Sequence, residues 1–346
     1  MGRPAVNHGQ DQLSRLVAYG IDDRDLLVDL TADLAAVERA LVDAVRSADP
    51  LAAETGSHLV RAGGKRTRPL LCLLASRLGT PGPQVTDAAV VVELTHLATL
   101  YHDDVIDSAT QRRGVPTAQE VWGNTVAILT GDLLFARASI IGAGLGPDAV
   151  RLQATTFERL VLGEMRETVG PAPGEDPVEH YLGVLCDKTG SLIATSARFG
   201  GMFSGADAAT LDVLVAYGEK VGVAFQLADD VLDLAGQHAD SGKTPGTDLR
   251  EHVPTMPVLL LRRHVAGGSS IPGSRELLEV LDSDLTDDGR LADAVEKLRA
   301  HPVTAEAHEV ALRWAAEAVA ALAPLPDVPA TRALAAVAEA LADRSR

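Results

Sequence analysis

The sequence contains few aromatic residues and few cysteines, and it has no excess of positive charge. Phe, Trp and Tyr make up 3 % of the 346 residues, whereas hydrophobic residues in total reach 46 %. Such a chain can bury a sizeable core, and its abundant Ala and Leu favour helices. Lys and Arg number 31 against 48 Asp and Glu, so the net charge is −17. This balance argues against a general nucleic-acid-binding protein, although local basic clusters can still bind an anionic substrate.

Neither the cysteines nor the apolar segments indicate an oxidising compartment or a membrane. Cys72 and Cys186 each lie in an apolar helical context, and we expect both to be buried, reduced thiols. The N-terminus lacks the apolar stretch of a secretory signal. No run of 18 apolar residues occurs, and the nearest, 88–100, is interrupted by Glu93 and His96. These absences predict a cytoplasmic protein without a transmembrane segment.

Hydrophobic periodicity predicts an all-α fold. Near the start of the patterned region, apolar residues recur at spacings of three and four: Leu27, Leu30, Leu34, Val37, Leu41 and Val45. Helical patterns also cover 85–108 and 117–145, with Gly and Pro clusters between segments. No alternating strand pattern of useful length and no interdomain linker is present. We predict a loose N-terminal arm at 1–25 and one helical domain at 26–346.

Two aspartate clusters share the same sequence pattern, and each follows a long apolar helical stretch. They are Asp103-Asp104-Val105-Ile106-Asp107 and Asp229-Asp230-Val231-Leu232-Asp233. The first and last aspartates of each cluster are four residues apart and share a helix face. Like charges repel there, and the end of a helix disfavours anions. Both clusters are therefore unfavourable on two counts, the repulsion between carboxylates and their place at a helix end, and this favours a bound cation. Carboxylate oxygens are hard ligands and suit Mg²⁺.

Basic motifs accompany these clusters on an otherwise acidic chain. They are Gly63-Gly64-Lys65-Arg66-Thr67-Arg68-Pro69, Arg112-Arg113-Gly114, Lys188-Thr189 and Lys243. Arginine offers forked donors to phosphate oxygens, and lysine offers a point charge. Together these residues can supply the cations for two diphosphate groups.

In this combination and order, the motifs resemble the trans-polyprenyl diphosphate synthases. Further matching motifs are Glu93-Leu94-Thr95-His96, Gly131-Asp132, Phe225-Gln226-Leu227 and Gly246-Thr247-Asp248-Leu249. The resemblance covers roughly residues 26 to 261. It implies an isoprenoid synthase-type helical bundle around a central cavity. It also implies a homodimeric, Mg²⁺-dependent prenyltransferase that condenses isopentenyl diphosphate with an allylic prenyl diphosphate.

The same resemblance implies roles for three groups of residues. The metal ligands would be Asp103, Asp107 and Asp229, holding about three Mg²⁺ ions per site, with Asp230 and Asp233 assisting through water. The isopentenyl diphosphate ligands would be Lys65, Arg68, His96 and Arg113. The allylic diphosphate would contact Arg112, Lys188 and Lys243, and the reacting carbons would lie beside Thr189 and Gln226. The Gly- and Pro-rich stretch 236–254 would form a lid that excludes water.

Two positions depart from the pattern of the resembled family. His252-Val253 stands where Gly-Lys is common, so a lysine contact found in some members is missing. Glu167 stands where Gln is frequent. Neither change touches the aspartate clusters.

Several alternatives remain open from the sequence. A class I terpene cyclase also has a first aspartate-rich motif, but its second motif has a different spelling. A metal phosphohydrolase would fit His102-Asp103 if more histidines lay on neighbouring helices, whereas a non-catalytic synthase subunit should have lost one aspartate cluster. Ala98 and Thr99, just before the first cluster, are small. We therefore predict a product longer than geranylgeranyl diphosphate, in the hexaprenyl to decaprenyl range, with geranylgeranyl diphosphate as the alternative and Phe135 as a candidate floor.

Overall fold

A computed structural model describes residues 8–235, 246–251, 253–268 and 271–343. Helices make up nearly all of the regular structure in these ranges: α1 His8–Ala18, α2 Arg24–Ala44, α3 Pro50–Arg61, α4 Thr67–Ser76, α5 Gln84–Ile106, α6 Ala118–Trp122, α7 Asn124–Leu145, α8 Pro147–Val169, α9 Pro177–Leu185, α10 Ser191–Met202, α11 Ala208–Ala235, α12 Thr247–Arg250, α13 Met256–Ala266, α14 Ser274–Leu281, α15 Asp288–Ala300, α16 Pro302–Ala321 and α17 Pro329–Ala342. Strands β1 Gln111–Arg112 and β2 Val115–Pro116 form one small antiparallel hairpin. The predicted all-α fold is confirmed.

Helix α5 lies at the centre of the larger core. It packs against α2, α4, α7 and α10, and consecutive residues such as Val90, Val91 and Val92 are all buried. A helix buried on several faces has no polar stripe, which explains its continuous apolar sequence. A second core forms where α13 and α16 pack against each other and against α9, α11 and α15. Leu259 and Leu298 lie within it. Helix α11 contacts both halves, so α5 and α11 carry the two aspartate clusters into the interior.

The helix predicted over 117–145 is interrupted at Gly123. This residue has φ 82° and ψ 160°, a conformation that a side chain disfavours. The chain therefore forms the short helix α6, turns, and continues as α7. Hydrophobic periodicity alone did not predict this break, because apolar residues continue on both sides of the glycine.

The described part of the predicted loose arm is instead an ordered helix. Helix α1 packs on α2, and Leu16 and Ile21 are buried in the larger core. Arg15 donates from Nη1 to the carbonyl oxygen of Gly64 at 2.7 Å. The hydroxyls of Tyr19 and Thr67 lie 3.2 Å apart. This segment therefore braces the glycine-rich basic loop, while the division of the chain near residue 25 stays a prediction.

One described helix, α7, is long and apolar enough to cross a membrane by length and composition. Its mean hydropathy is 1.6 and 33 % of its most apolar window is buried. The sequence had pointed to 88–100 as the nearest candidate, but that segment is a core helix. A core helix of a globular protein can have the same composition, so α7 alone is weak evidence for a span.

The predicted lid falls largely outside the described residues. Residues 236–245, which include Lys243, and residue 252 lie there. The chain is described again at Gly246, whose amide donates to Asp233 Oδ2 at 3.1 Å. A side chain at Gly246 would clash with Val295, and the backbone there has φ 77°, so a glycine is required at this close approach.

Candidate active site

A cavity of about 880 Å³ opens between the ends of α5, α8, α9, α11 and α13. Its polar lining comes from residues far apart in sequence: Asp107, Glu164, Glu167, His180, Tyr181, Lys188, Thr189, Gln226, Asp230, Asp248 and Glu251. Both aspartate clusters therefore contribute to one cavity. Neither Ala98 nor Thr99 lines it: Ala98 is fully buried, and the Thr99 hydroxyl donates to its own helix at the carbonyl of His96.

The first cluster closes the C-terminal end of α5. Burial raises the pKa of Asp103 to about 7, and the carboxylates of Glu164 and Asp107 act in the same direction, against the ammonium of Lys188. Asp107 caps the helix and is exposed. These carboxylates face one another in a crowded acidic setting, which a cation would relieve.

Asp104 has a different environment from Asp103. It is fully buried, and its Oδ1 accepts a hydrogen bond from Arg112 Nε at 2.7 Å. Consecutive residues on a helix point about 100° apart, so Asp104 is buried against Arg112 while Asp103 interacts with Lys188 and Glu164, two residues of the cavity lining. Arg112, on the β1 strand after the cluster, is thereby fixed between the aspartates and the basic cluster described below.

The second cluster lies near the end of α11, and the second aspartate of its doublet, Asp230, is again buried, whereas Asp229 is partly exposed. Its Oδ2 accepts hydrogen bonds from the Tyr181 hydroxyl at 2.8 Å and from the backbone amide of Met256 at 3.2 Å. Burial raises the pKa of Asp230 well above its ordinary value, while these two hydrogen bonds act in the opposite direction. Met256 begins α13, so the carboxylate also stands at the positive end of a helix.

Lys188 projects from a π-helical turn, Cys186–Gly190, that joins α9 to α10. Such turns are rare and often occur at functional sites. Its Nζ lies 2.8 Å from the carboxylate of Glu164 and also contacts that of Glu167. Although burial acts in the opposite direction, these carboxylates raise the pKa of Lys188. Next to it, the Thr189 hydroxyl lies 3.4 Å from Gln226 Oε1.

A basic cluster lies behind the first aspartate cluster, where the glycine-rich loop meets α5. The buried Arg66 forms ion pairs with Glu93 at 2.8 Å and with Glu38 at 2.6 Å. Arg113 donates to the carbonyl oxygens of Leu59 and Gly63. These bonds fix the loop that carries the predicted ligands.

Gly64 is required by the way in which Arg113 packs. A side-chain carbon at position 64 would lie 2.8 Å from the Arg113 guanidinium, and the backbone there has φ 141°. The glycine therefore lets the guanidinium come close to the loop. A glycine is therefore needed in this motif because a side chain at position 64 would collide with Arg113.

Arg68, Arg113 and His96 all have depressed pKa values in this cluster, and burial is the largest cause for each. Burial lowers the pKa of Arg68 to about 10, with Arg113 acting in the same direction. Its Nε is buried and has no hydrogen-bond partner among the described residues. Burial and the guanidinium groups of Arg68, Arg113 and Arg112 lower the pKa of His96 well below its ordinary value. A neutral imidazole beside several arginines, one with an unsatisfied donor, is suited to receive an anion.

The predicted residues fall into two groups in space. Arg68, His96, Arg112 and Arg113 come together in the basic cluster, and Asp107, Lys188, Thr189 and Gln226 line the cavity. Lys65 is exposed and lines a separate small space together with Arg15 and Tyr19. Asp229 interacts electrostatically with Asp230. Lys243 lies outside the described residues.

The sequence reasoning missed the partners that hold these groups. They are Asp104 for Arg112, Glu93 for Arg66, Glu164 and Glu167 for Lys188, and Tyr181 for Asp230. Only Glu93 had a readable signal, because a carboxylate within the apolar run of α5 must find a buried cation. Asp104 and Arg112 are close in sequence but were not recognised as a pair, and the remaining pairs join elements more than twenty residues apart.

The donor set fits a hard divalent cation that is completed by substrate oxygens. Among the described residues no group of three or more His, Cys, Asp or Glu side chains is preassembled around one point. Instead, carboxylates stand on α5 and on α11 beside one cavity. Mg²⁺ is commonly held by one or two carboxylates, with phosphate oxygens and water completing its coordination.

Comparison with known proteins gives consistent matches over most of the chain. The family model for polyprenyl synthetase matches residues 49–298. A nonaprenyl diphosphate synthase of Mycobacterium tuberculosis is 46 % identical over 328 residues, covering 93 % of this chain and 96 % of that protein. A geranylgeranyl pyrophosphate synthase of Corynebacterium glutamicum, solved with calcium and isoprenyl diphosphate, has a TM-score of 0.82 at 40 % identity, covering 94 % and 98 %. A decaprenyl diphosphate synthase of Rhodobacter capsulatus has a TM-score of 0.81 at 34 % identity, covering 93 % and 99 %.

Proposed function

Because the chain belongs to the polyprenyl synthetase family and is a prenyltransferase, we propose that it condenses isopentenyl diphosphate with an allylic prenyl diphosphate in the cavity described above. The observation that carries this assignment is the placement of both aspartate clusters beside one cavity with Lys188, backed by a separate arginine cluster. Lys188 and Arg68 belong to two separate basic regions and both interact electrostatically with Asp103, which matches a reaction that needs two diphosphates.

The allylic substrate would lie in the cavity with its diphosphate near Lys188 and Arg112. Isopentenyl diphosphate would bind at Arg68, His96 and Arg113, with Lys65 at the rim. The allylic C–O bond breaks and its electron pair leaves with the diphosphate, so an allylic cation remains. The double bond of isopentenyl diphosphate attacks this cation and forms the new C–C bond. A proton is then lost to the released diphosphate, so the chain need not supply a nucleophile.

The side chains around the reacting carbons would orient them and stabilise the cation. Thr189 and Gln226 offer oxygen dipoles beside the cavity, and closure of the site would exclude water that would quench the cation.

Magnesium is the metal that we propose, with about three ions per site. Asp103 and Asp107 would hold it on one side, and Asp229 on the other, with Asp230 and Asp233 in support. Bound Mg²⁺ supplies positive charge that stabilises the leaving diphosphate. The calcium in the Corynebacterium glutamicum structure supports a divalent cation in this family.

One incubation tests the proposed reaction against its alternatives. The protein is supplied with isopentenyl diphosphate, an allylic diphosphate and Mg²⁺, and the products are separated after dephosphorylation. We expect a longer linear prenyl alcohol. A cyclic hydrocarbon would indicate a terpene cyclase, release of phosphate without chain growth would indicate a phosphohydrolase, and no product would indicate a non-catalytic subunit.

For the product, we propose a chain longer than geranylgeranyl diphosphate, in the hexaprenyl to decaprenyl range. The nonaprenyl and decaprenyl synthases among the similar proteins support this range. The geranylgeranyl pyrophosphate synthase among the similar structures keeps the shorter product as the alternative. Phe135, the candidate floor, packs against Phe157 with ring centroids 4.0 Å apart. Two packed rings, tilted by 48° to each other, are suited to close an apolar tunnel.

We propose that the protein acts as a homodimer. The support is an apolar face on α7 and the neighbouring α8 that the chain itself leaves uncovered: Ile128, Leu129, Ile140, Leu162 and Met165 are all exposed. Exposed apolar patches of this kind commonly mark interaction surfaces. Light scattering of the purified protein, alone and as a Leu129→Glu variant, tests the proposal, since a charge at a buried interface should yield monomers.

We also propose a cytoplasmic location. In support, Cys72 and Cys186 are both free in the structure, as expected of thiols in a reducing compartment. Fractionation of the cells that express the protein tests this, and enrichment in the membrane fraction would contradict it.

A further inference from the structure

Tyr181 joins α9 to the second aspartate cluster at the wall of the cavity. Its hydroxyl donates to Asp230 Oδ2 at 2.8 Å, and the same oxygen accepts the Met256 amide at 3.2 Å. Three helices, α9, α11 and α13, therefore meet on one carboxylate oxygen. Both Tyr181 and Asp230 line the cavity, although each side chain is buried.

The second oxygen of Asp230 has a different environment. Oδ1 accepts no hydrogen bond from the described residues, yet it is not enclosed by protein atoms, and Asp230 borders the cavity. Two donors on one side of the carboxylate fix its rotation about the side-chain bonds. The free lone pairs of Oδ1 are thereby held toward the space where a cation or its bound water would lie.

We propose that Tyr181 is a positioning residue that orients Asp230 for the divalent cation, an inference that rests on the proposed function. Groups that hydrogen-bond to a metal ligand or to a carboxylate near the metal fix its orientation, and their loss commonly weakens metal binding. In this arrangement the Tyr181 hydroxyl acts on the cation through Asp230, because it is engaged with Oδ2.

The chain offers a matched control for the loss of one buried tyrosine hydroxyl. Tyr217 is also buried, and its hydroxyl donates to the carbonyl oxygen of Leu334 at 2.6 Å. It lies on α11 but does not line the cavity. Tyr181→Phe and Tyr217→Phe therefore remove the same chemical group, one at the cavity and one in the core.

The test measures Mn²⁺ binding in the presence of inorganic diphosphate, by the electron paramagnetic resonance signal of free Mn²⁺. We expect Tyr181→Phe to weaken Mn²⁺ binding about tenfold and Tyr217→Phe to leave it unchanged. Circular dichroism and thermal unfolding monitor the fold. Binding by Tyr181→Phe that equals the wild-type value would overturn the inference.

Asp230→Asn supplies a second, independent measurement. It keeps the shape of the side chain and should also weaken Mn²⁺ binding. In that background, Tyr181→Phe should cause little further loss, because a positioning residue acts through the group it positions. Additive losses in the double variant, or wild-type affinity in Asp230→Asn, would contradict the proposal. If the wild-type protein bound Mn²⁺ and diphosphate but formed no prenyl product, the proposed function would fail separately.

Discussion

The ammonium of Lys188 lies 2.8 Å from the carboxylate of Glu164 and also contacts that of Glu167. Lys188, which we propose as a ligand of the allylic diphosphate, is thus already paired with two anions on α8. An incoming diphosphate would have to compete with Glu164 and Glu167 for Lys188. The outcome of this competition depends on Glu167, which stands where the family often has glutamine.

Glu167→Gln should therefore lower the KM for the allylic diphosphate. Removing one competing charge at a partly buried pair corresponds to about 0.5–1 kcal/mol, or about two- to fivefold in affinity. The KM for isopentenyl diphosphate should not change. Steady-state kinetics with each substrate varied in turn measure both values. Glu158→Gln, an exposed position on the same helix, is the control, and a higher allylic KM in Glu167→Gln would refute the competition.

Asp103→Asn and Asp229→Asn should each lower turnover by orders of magnitude while the helical content stays unchanged. Each substitution removes the charge of a carboxylate that we propose as a ligand of the metal ion. Rates with and without Mg²⁺, and circular dichroism of each variant, provide the measurement. Wild-type turnover in excess chelator without added metal would exclude a metal-dependent reaction.

The two basic regions should separate the two substrates. Lys65→Ala or Arg68→Ala should raise the KM for isopentenyl diphosphate about tenfold, and Lys188→Ala should mainly raise that for the allylic substrate. The reason is that Arg68 lies in the cluster around His96, whereas Lys188 lines the cavity. Equal effects on both constants in all three variants would show that the sites are not divided in this way.

His96 should make the protein less stable in mild acid. Burial and the neighbouring guanidinium groups hold its folded-state pKa well below the ordinary value, so the unfolded chain binds a proton first as the pH falls. The free energy of unfolding should then decrease below about pH 6.5, by at most about 1.4 kcal/mol per pH unit from this group. Asp103 has the opposite effect on the free energy of unfolding. Its pKa is raised to about 7 in the folded chain, so the folded chain binds this proton first and is stabilised as the pH falls.

Comparison with His96→Asn isolates this contribution, because Asp103 is present in both proteins. Urea unfolding at about pH 7.5 and about pH 5.5 should show a smaller loss of stability in the variant than in the wild type. An identical pH dependence in the two proteins would mean that the folded and unfolded chains bind the His96 proton equally, so that folding does not lower its pKa.

Ala98→Phe should shorten the product if the allylic tail passes along α5. Ala98 is fully buried, so a ring added there would occupy space that the tail or the core now uses. Chromatography of the dephosphorylated products decides the length, and thermal unfolding checks the cost to the fold. An active variant with an unchanged product distribution would show that the tail does not pass this position.

The amino-acid sequence was sufficient to predict the helical class and the chemical content of the site. Helical periodicity is a local property, and the repeated aspartate spelling implies a cation because carboxylates four residues apart repel each other. The same reasoning failed at Gly123, where one backbone conformation breaks an apolar pattern. It also failed at His8–Ala18, a segment with few apolar residues that is ordered by packing on α2.

Only the tertiary structure decided how each doublet is divided. The residue pattern by itself does not distinguish Asp103 from Asp104 or Asp229 from Asp230, and the family resemblance alone named Asp103 and Asp229 as metal ligands. In the folded chain Asp104 turns inward to Arg112, and Asp230 is held by Tyr181 from a helix almost fifty residues earlier. Such pairs depend on which helices pack together, and packing is set by the shape of many side chains at once rather than by any short motif.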